Sequence, residues 1–386
     1  MQELSESLIA SGVGVRVIAA TQKVPGPDYV APVPVFWVPT YGETQGHGWK
    51  SVPWVLLLLC RVIWRLLRDV RHYDVVLVSG FNVLPLAPVF AKLLTRKPCV
   101  VRPESPLELK HAVGAASLSR MGMATDSPLL RLAGWLRGLG ARRVDRYIAI
   151  SGEIRAKLLA EGIPAAKIVE ISNGINMDKF VPVNDEQRRR LRQSLRLPEQ
   201  KLLLVYTGRL AVSKGVMILM EVWSELAARH PEAHLLLVGE GAGSIDDCEA
   251  QARAFLAERR LEDRVTFAGA VANVHEYLKA ADVFVFPSFY EGFGLSILEA
   301  MAVGLPMVCS RVGVAADLES AAGIRMVVAP RSGKEFLDSL ELLLRDTQLR
   351  LEVGAKARAA VQGLYSMTTV AEHHAAVFSE LARERS

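Results

Sequence analysis

Short runs of apolar, often β-branched residues alternate along the chain with longer segments in which apolar residues recur at the helical period. This alternation predicts βαβ units around two parallel sheets. We predict strands within residues 13–20, 73–80, 97–103, 145–151 and 167–174 of the first half, and within residues 201–208, 233–240, 264–270, 282–288 and 306–312 of the second half. The predicted fold class is therefore α/β.

The first residues of the sequence have a helical pattern. Leu4, Leu8 and Ile9 share one face of the predicted helix, which ends at Gly12. A doubly wound domain usually opens with a buried strand instead. We therefore expect that the usual first strand and its loop are not part of this sequence.

Apolar residues become sparse and charged residues frequent between residues 181 and 200. We interpret this segment as a linker followed by a charged helix; a solvated helix inside a single domain is the alternative. The predicted domains are residues 1–182 and residues 183–365. A predicted C-terminal helix at residues 366–386 packs back toward the first domain.

The 386 residues are 51% hydrophobic and carry a formal net charge of +5, with the basic excess in local clusters. Such clusters favour anionic partners, namely phosphates, nucleic acid or acidic lipid. The four cysteines are scattered and have no histidine at ligand spacing, which indicates neither disulfides nor zinc and favours a reducing compartment. No apolar run approaches the roughly 20 residues of a membrane span, and the first residues do not have the pattern of a secretory signal. We expect a cytoplasmic protein.

Two glutamates, Glu291 and Glu299, flank a glycine-rich turn directly after the predicted strand at residues 282–288. Ligands of open α/β sheets bind beyond the carboxyl ends of the strands, and Gly292 and Gly294 let a ligand approach the N–H groups of the next helix. If most of the steps between the glutamates are helical, their carboxylates lie roughly 12 Å apart along the helix axis. A glycosidase pair must be closer, within about 9.5 Å, whereas hydroxyls at the two ends of a sugar nucleotide suit this spacing. A tight turn with solvated glutamates is the alternative.

A second candidate loop follows the predicted strand at residues 201–208 and carries Arg209 and Lys214. A guanidinium and an ammonium before a helix suit a diphosphate, and two ordinary surface cations are the alternative. The chain has no D-x-D triplet, so we expect no metal and assign the positive charge to these two side chains. A dinucleotide fingerprint would need a glycine at Ser244, so we expect no nicotinamide cofactor.

Several stretches resemble the retaining glycosyltransferases of family 4, namely VYTGRLAVSKG, LLLVGEG, VTFAGAV, ADVFVFPSFYEGFGLSILEAMAVGLPMV and, before the linker, ISNGINMDKF. The resemblance covers almost the whole chain. It implies the GT-B fold, in which two Rossmann-like domains face each other across a cleft. It also implies transfer of a hexose from a nucleoside diphosphate sugar to a glycan, a lipid-linked sugar or a small alcohol, with retention and without metal or cofactor, in polysaccharide biosynthesis.

The resemblance also implies roles for residues at matching positions. Glu291 would bind the donor sugar, and Glu299 would hold the ribose. Arg209 and Lys214 would neutralise the diphosphate leaving group. The other implied donor-binding residues are Gly239, Val271, Gly292, Phe293, Gly294 and Leu295.

The sequence departs from the family pattern at two further places. Arg102 and Glu104 stand near the position where the family often has a histidine beside the transferred sugar, and we take them as tentative sugar-side residues. Gly313 and Asp317 are what remains of the family's Gly-Gly-x-x-Glu.

Two basic amphipathic segments lie in the first half, at residues 54–74 and 128–146. Helices of this kind can lie on anionic membranes, and helices packed in the core with solvated arginines are the alternative. We predict weak peripheral binding to anionic lipid. Nucleic-acid binding is not expected, because the basic clusters lack interleaved aromatic residues. The alternative function is that of a non-catalytic GT-B binding or scaffold protein that has lost its donor loop.

Overall fold

The structure is a computed structural model that describes residues 2–21, 29–30, 33–39, 52–80, 85–105, 140–241, 243, 246–322 and 327–384. Its strands are β1 (Val17–Thr21), β2 (Tyr29–Val30), β3 (Val33–Pro39), β4 (Val76–Ser79), β5 (Cys99–Arg102), β6 (Arg146–Ala149), β7 (Ile168–Glu170), β8 (Leu202–Thr207), β9 (Ala233–Val238), β10 (Val265–Gly269), β11 (Val283–Phe286), β12 (Met307–Ser310) and β13 (Val327–Val328). Its α-helices are α1 (Gln2–Ala10), α2 (Val52–Arg68), α3 (Leu86–Thr95), α4 (Gly152–Ala160), α5 (Asp185–Ser194), α6 (Val216–Arg229), α7 (Glu249–Glu258), α8 (Val274–Ala280), α9 (Leu295–Ala302), α10 (Val314–Ala322), α11 (Gly333–Arg345), α12 (Thr347–Leu364) and α13 (Met367–Arg383).

The chain forms two compact units. The first contains residues 1–172 and 367–386, and the second contains residues 173–366. Helix α13 therefore belongs to the first unit, where it packs against α1. Within the described residues, no helix is long and apolar enough to cross a membrane.

The first unit has two separate sheets. One has the order β1-β3-β2, with β1 parallel and β2 antiparallel to β3. The other is parallel and has the order β4-β5-β6-β7. Its central strands are buried, with Val100 and Val101 of β5 fully enclosed.

The second unit has one parallel sheet of six strands, in the order β10-β9-β8-β11-β12-β13. Every residue of β9, β11 and β12 is buried. Strands buried on both faces have continuous apolar sequences, which is the pattern that the chain shows here. Helix α6, with Trp223 fully buried, is one of the elements that enclose this core.

The predicted α/β class is confirmed, and each predicted strand overlaps a strand of the structure. The prediction of two sheets was wrong, because the described residues form three. Strand β1 pairs with β3, which was not predicted: β3 contains Pro34 and Pro39, and proline weakens the sequence signal of a strand. Strands β2 and β13 were also not predicted, since two residues are too short a run to show a period.

Helix α5 lies within residues 181–200, which were predicted to be a linker followed by a charged helix. It starts with a capping box at Asn184. Most of this helix is exposed, but only 6% of Arg192 is accessible. The Arg192 Nε donates to the carbonyl oxygen of Ala280 at 2.9 Å, and its Nη2 lies 2.7 Å from Asp282 Oδ2. The same carboxylate oxygen accepts the N–H of Leu203 in β8 at 2.7 Å. Arg192 thereby fastens α5 to the edge of the sheet where β8 and β11 begin.

We predict that Arg192→Ala destabilises the protein strongly, because it removes one partner of a buried ion pair and leaves the Asp282 carboxylate undercompensated. Such changes lower the free energy of unfolding by about 3–5 kcal/mol. Urea titration followed by circular dichroism measures the loss. The matched control is Arg190→Ala on the same helix, which breaks only an exposed pair with Glu186 and is expected to cost about 0.5 kcal/mol. Equal losses in the two variants would contradict the role assigned to Arg192.

Candidate functional site

The carboxyl ends of β8 and β11 bring the two candidate loops together. These strands are neighbours in the sheet, with Leu204 opposite Val283 and Val205 opposite Phe284. Parallel neighbours end at the same edge, so the loop after β8 and the loop after β11 emerge side by side. This is the edge of an open α/β sheet at which ligands bind.

The closest contact between the two loops joins Lys214 and Glu291. The Lys214 Nζ lies 2.7 Å from Glu291 Oε1 and 3.4 Å from the carbonyl oxygen of Tyr290. Both charged side chains are largely enclosed, with 18% and 12% of their surface exposed. An ion pair that is mostly withdrawn from water interacts more strongly than one on the surface, which fixes the ammonium and the carboxylate relative to each other. The structure therefore brings together two predicted site residues from different loops.

Gly215 allows the loops to approach this closely. Its φ of +71° lies in the left-handed region, and a Cβ atom at this position would be 2.0 Å from the carbonyl oxygen of Pro287. The Phe289 N–H also donates to the carbonyl oxygen of Ser213 at 3.0 Å. Only a residue without a side chain fits between the two backbones, so the Lys214–Glu291 contact depends on this glycine.

Helix α9 begins directly after the glycine-rich turn. Gly294 is the N-cap residue of this helix and has a φ of +92°. As a glycine, it has no side chain that could cap the first N–H groups. The first N–H groups of such a helix remain available to an acceptor, and the helix dipole favours negative charge beside them. These groups lie next to Glu291 in sequence, so the turn can offer a carboxylate acceptor and backbone donors together.

Helix α9 covers less of the segment between Glu291 and Glu299 than the estimate of their separation assumed. The estimated separation depended on the condition that most of the eight steps from Glu291 to Glu299 are helical, and α9 starts only at Leu295. The condition is not met, because the turn through Gly292 and Gly294 extends to the middle of the segment. Glu299 lies inside α9 and is half-buried.

The remaining donor-side residues have different surroundings. Phe293 is buried, and its ring packs against Tyr365 with centroids 6.4 Å apart, so its side chain belongs to the core. Leu295 is exposed. Gly239 follows β9 and forms an isolated bridge with Gly269, and the half-buried Val271 lies just beyond β10. Gly239 and Val271 thus also follow strands at the carboxyl edge of the sheet.

Arg209 is held by a residue that the sequence analysis did not identify. Its Nη1 lies 3.6 Å from Asp246 Oδ1, while 53% of the Arg209 side chain stays exposed. The Ser213 hydroxyl donates to the other oxygen of Asp246, and this hydrogen bond lowers the pKa of the Asp246 carboxyl. The backbone of Arg209 is fixed too, since its carbonyl oxygen accepts a hydrogen bond from the buried Tyr206 hydroxyl at 2.7 Å. The available signal was the acidic pair at residues 246–247, in the loop after the strand next to β8.

Arg102 and Glu104 lie in the first unit, at the carboxyl end of β5 and just beyond it. The Arg102 Nη2 is 3.6 Å from Glu104 Oε2, and the Ser79 hydroxyl at the end of β4 donates to the same glutamate. Burial lowers the pKa of the Arg102 guanidinium. The two residues form a polar cluster at the edge of the four-stranded sheet, and their sugar-side role stays a prediction.

Metal binding has little support in the side chains of this region. Among the described residues, no group of three or more His, Cys, Asp or Glu side chains is arranged to hold a metal ion. The charged groups at the second unit's carboxyl edge instead pair with one another as Lys214–Glu291 and Arg209–Asp246. The arrangement can offer two cations and two carboxylates to a polar ligand, beside the backbone N–H groups at the start of α9.

Two family models match the chain. The model described as "Glycosyl transferase 4-like domain" matches residues 1–174, and the model described as "Glycosyl transferases group 1" matches residues 187–360. The two matches are adjacent and together span most of the sequence.

Two curated relatives are similar to this chain over most of their own length. The lipopolysaccharide core biosynthesis mannosyltransferase LpsB of Rhizobium meliloti is 28% identical over 293 residues, which are 74% of this chain and 81% of the relative. The alpha-D-kanosaminyltransferase of Streptomyces kanamyceticus is 27% identical over 375 residues, which are 96% of this chain and 91% of the relative.

Solved structures share the GT-B fold with this chain. The Anabaena protein HepE, in a complex with UDP and glucose, superposes with a TM-score of 0.76 at 20% identity over 98% of this chain and 95% of HepE. The sucrose-phosphate synthase of Thermosynechococcus elongatus also has a TM-score of 0.76, at 22% identity, over 98% of this chain and 92% of the synthase. At this identity, the likeness establishes the fold.

We predict that Gly215→Ala disturbs the meeting of the two loops. Its Cβ would collide with the Pro287 backbone and its φ is unfavourable for alanine, so we expect the free energy of unfolding to fall by about 1–3 kcal/mol and the Lys214–Glu291 contact to lengthen. Urea titration and a crystal structure of the variant measure these two effects.

Gly363→Ala is the matched control, because a Cβ atom at this glycine in α12 meets nothing within 4 Å. Its stability should be unchanged or higher by up to about 1 kcal/mol. If Gly215→Ala were as stable as this control and kept the ion pair at its present length, the steric argument would be wrong.

Proposed function

The chain belongs to the group 1 glycosyltransferases of family 4, and we propose that it transfers a hexose from a nucleoside diphosphate sugar to an acceptor hydroxyl. The observation that carries the proposal is the Lys214–Glu291 pair at the carboxyl edge of the second unit's sheet. A donor of this class needs a cation for its diphosphate and an acceptor group for its sugar hydroxyls. The pair presents one of each, 2.7 Å apart.

In the proposed complex, the donor diphosphate lies against Lys214 and Arg209. An ammonium and a guanidinium on one loop reach phosphate oxygens from two directions, which suits a group with more than one charge. The diphosphate then interacts with the Lys214 ammonium, which pairs with Glu291 in the absence of donor. Glu291 then accepts hydrogen bonds from hydroxyls of the transferred sugar, beside the N–H groups of residues 292–295.

The nucleoside end of the donor lies farther along the same edge of the sheet. Glu299 accepts hydrogen bonds from the ribose hydroxyls, and Gly239 and Val271 border the base. This arrangement uses the loops after four strands, β8, β9, β10 and β11, which are contiguous in the sheet order. A long ligand that follows a row of strand ends makes contact with each of these loops in turn.

The proposed chemistry retains the anomeric configuration and uses no metal ion. The bond between the anomeric carbon and the diphosphate oxygen breaks, and a bond from the same carbon to the acceptor oxygen forms on the same face. The acceptor proton passes to an oxygen of the departing diphosphate. The negative charge of the leaving group increases in the transition state, so fixed cations at Lys214 and Arg209 stabilise the transition state more than the ground state.

The names of similar proteins support this reaction class. HepE has been crystallised with UDP and glucose, which are the parts of a nucleotide sugar. LpsB is named as a mannosyltransferase of the lipopolysaccharide core, and other relatives are named as D-inositol 3-phosphate glycosyltransferases. From these names we infer that the transferred group is a hexose. We infer that the acceptor is a glycan, a lipid-linked sugar or a small alcohol.

The first test replaces both proposed diphosphate ligands. Thermal stabilisation by UDP-, GDP- and ADP-sugars first identifies a donor, since a ligand of the folded state raises the unfolding midpoint. Calorimetry then compares the wild type with Arg209→Ala/Lys214→Ala. Each charge-assisted hydrogen bond contributes about 1.5–3 kcal/mol, so we expect affinity for that donor to fall at least about 100-fold.

Arg190→Ala/Lys334→Ala is the matched control, because it removes the same two charges from exposed positions of the second unit. Its donor affinity should stay within about twofold of the wild type. Unchanged affinity in the Arg209/Lys214 variant would reject the assignment. Tight donor binding without transfer to any acceptor or to water would instead favour the non-catalytic alternative.

The second test concerns Asp246 as a positioning residue for Arg209. Asp246→Asn removes the charge that holds the guanidinium, so we expect kcat/KM to fall about tenfold, mainly through kcat because the Arg209 charge acts most in the transition state, while Asp246→Glu restores part of it. Steady-state kinetics with the donor identified above measures both values.

A double-mutant cycle separates positioning from a general effect on the loop. On the Arg209→Ala background, Asp246→Asn should have little further effect on kcat/KM, because the side chain that Asp246 orients is gone. Full additivity of the two losses would show that Asp246 acts independently of Arg209.

A further inference from the structure

Helices α2 and α3 of the first unit pack against each other and expose a row of large apolar side chains. Helix α2 packs inward through Leu58 and Leu66, which are buried. Its other side exposes Trp64 at 60%, and α3 exposes Leu94 at 76%. The exposed apolar residues of the two helices are Trp54, Leu56, Leu57, Trp64, Phe90, Leu93 and Leu94. We call this region the α2–α3 surface.

Basic residues accompany the apolar ones along α2, where Arg61, Arg65 and Arg68 lie, whereas Lys92 of α3 is largely enclosed and pairs with Asp145 at 2.7 Å. Residues 52–97 contain seven arginines and lysines but only two acidic residues. Both acids are paired, Asp69 with Arg65 at 2.5 Å and Asp74 with Lys97 at 3.3 Å. The Arg68 guanidinium lies over the Trp64 ring, 5.3 Å from its centroid. Positive charge therefore stands directly beside exposed apolar area.

This combination differs from an ordinary solvated helix face. Scattered single apolar residues on a surface need no explanation, but seven large ones on two helices that pack together concentrate apolar area, as interaction sites do. The sequence predicted membrane contact for residues 54–74, with a core-packed helix as the alternative. The structure combines the two alternatives, because one side of α2 packs in the core and its other side is exposed. Most of the second predicted segment, residues 128–146, lies outside the described residues.

We propose that the α2–α3 surface binds the headgroup region of an anionic lipid bilayer. Leucine, phenylalanine and tryptophan side chains enter the boundary between headgroups and acyl chains, and the arginines contact lipid phosphates. The net positive charge of the segment selects a negatively charged surface. The helices lie in the plane of the interface and do not cross it. The surface contains none of the residues assigned to donor binding.

The first experiment measures flotation of the full chain with vesicles of phosphatidylglycerol and phosphatidylcholine, and with vesicles of phosphatidylcholine alone. We expect association with the anionic vesicles that weakens as salt rises, because screening shortens the range of the electrostatic attraction. Binding to the neutral vesicles should be at least tenfold weaker.

Two variants separate the contributions of charge and apolar area. Arg61→Glu/Arg68→Glu should lower the partition coefficient on anionic vesicles by roughly 30-fold or more, at about 1 kcal/mol for each basic residue. Trp64→Ser/Leu94→Ser should lower it at least about tenfold on the same vesicles. Both changes affect exposed or half-buried positions, and circular dichroism checks that each variant remains folded.

The matched controls lie on the second unit. Leu342→Ser/Leu351→Ser removes two leucines that are 57% and 65% exposed, and Arg190→Glu/Arg345→Glu reverses two exposed arginines. Each control should partition within about threefold of the wild type. Equal losses in a control and in its matched variant would mean that total charge or hydrophobicity, and not this surface, determines binding.

Cys60 gives an independent readout of the orientation of α2. It is exposed on this helix, whereas the other three cysteines are buried. A nitroxide attached to Cys60 should lose accessibility to a water-soluble nickel complex and gain accessibility to oxygen when anionic vesicles are added. A Cys60→Ser protein checks that the label reports this position alone.

Three outcomes would overturn the proposal. The first is a wild type that does not float with anionic vesicles at low salt. The second is flotation that neither pair of α2–α3 substitutions weakens. The third is self-association in analytical ultracentrifugation that Trp64→Ser/Leu94→Ser abolishes while vesicle binding stays unchanged, which would assign the surface to a second copy of the chain.

Discussion

The parallel pairing of β8 with β11 is the constraint on which the candidate site depends. It brings together Lys214 and Glu291, which are 77 residues apart in sequence, and holds their charged atoms 2.7 Å from each other. Buried apolar strands fix the register, because a slip by one residue would exchange the side chains that pack on the two faces of the sheet. Gly215 then permits the loops above the strands to touch. The ion pair thus depends on the sheet register and on a glycine at position 215. A donor would bind to charged groups whose positions are already fixed.

Basic side chains stand in three different surroundings in this protein. Arg192 is buried and joins α5 to the sheet through Asp282 and backbone carbonyls. Lys214 lies at the carboxyl edge of the same sheet, where a cation can meet an anionic ligand. Arg68 stands on the outside of α2 beside exposed apolar residues. A net charge of +5 indicates anionic partners in general, but burial and neighbours decide the task of each cation.

The fold and the substrate specificity of glycosyltransferases place different demands on the sequence. Solved structures with about 20% identity keep the same fold over nearly the whole chain. This is physically reasonable, since a buried parallel strand needs apolar residues of suitable shape but not particular ones. The loops at the carboxyl edges must instead match a ligand atom by atom. We therefore expect donor and acceptor choice to depend on the residues of these loops.

The sequence alone determined the α/β class, the strands with strong apolar runs and the two loops that carry Arg209, Lys214 and Glu291. These features follow from periodicity and from turn residues, which act over a few neighbouring positions. Only the tertiary structure decided that Lys214 contacts Glu291, that Asp246 holds Arg209 and that the Phe293 side chain is in the core. Each of these depends on which strands and helices become neighbours across long stretches of chain. Local patterns do not encode such contacts, because register and packing arise from the folded chain as a whole.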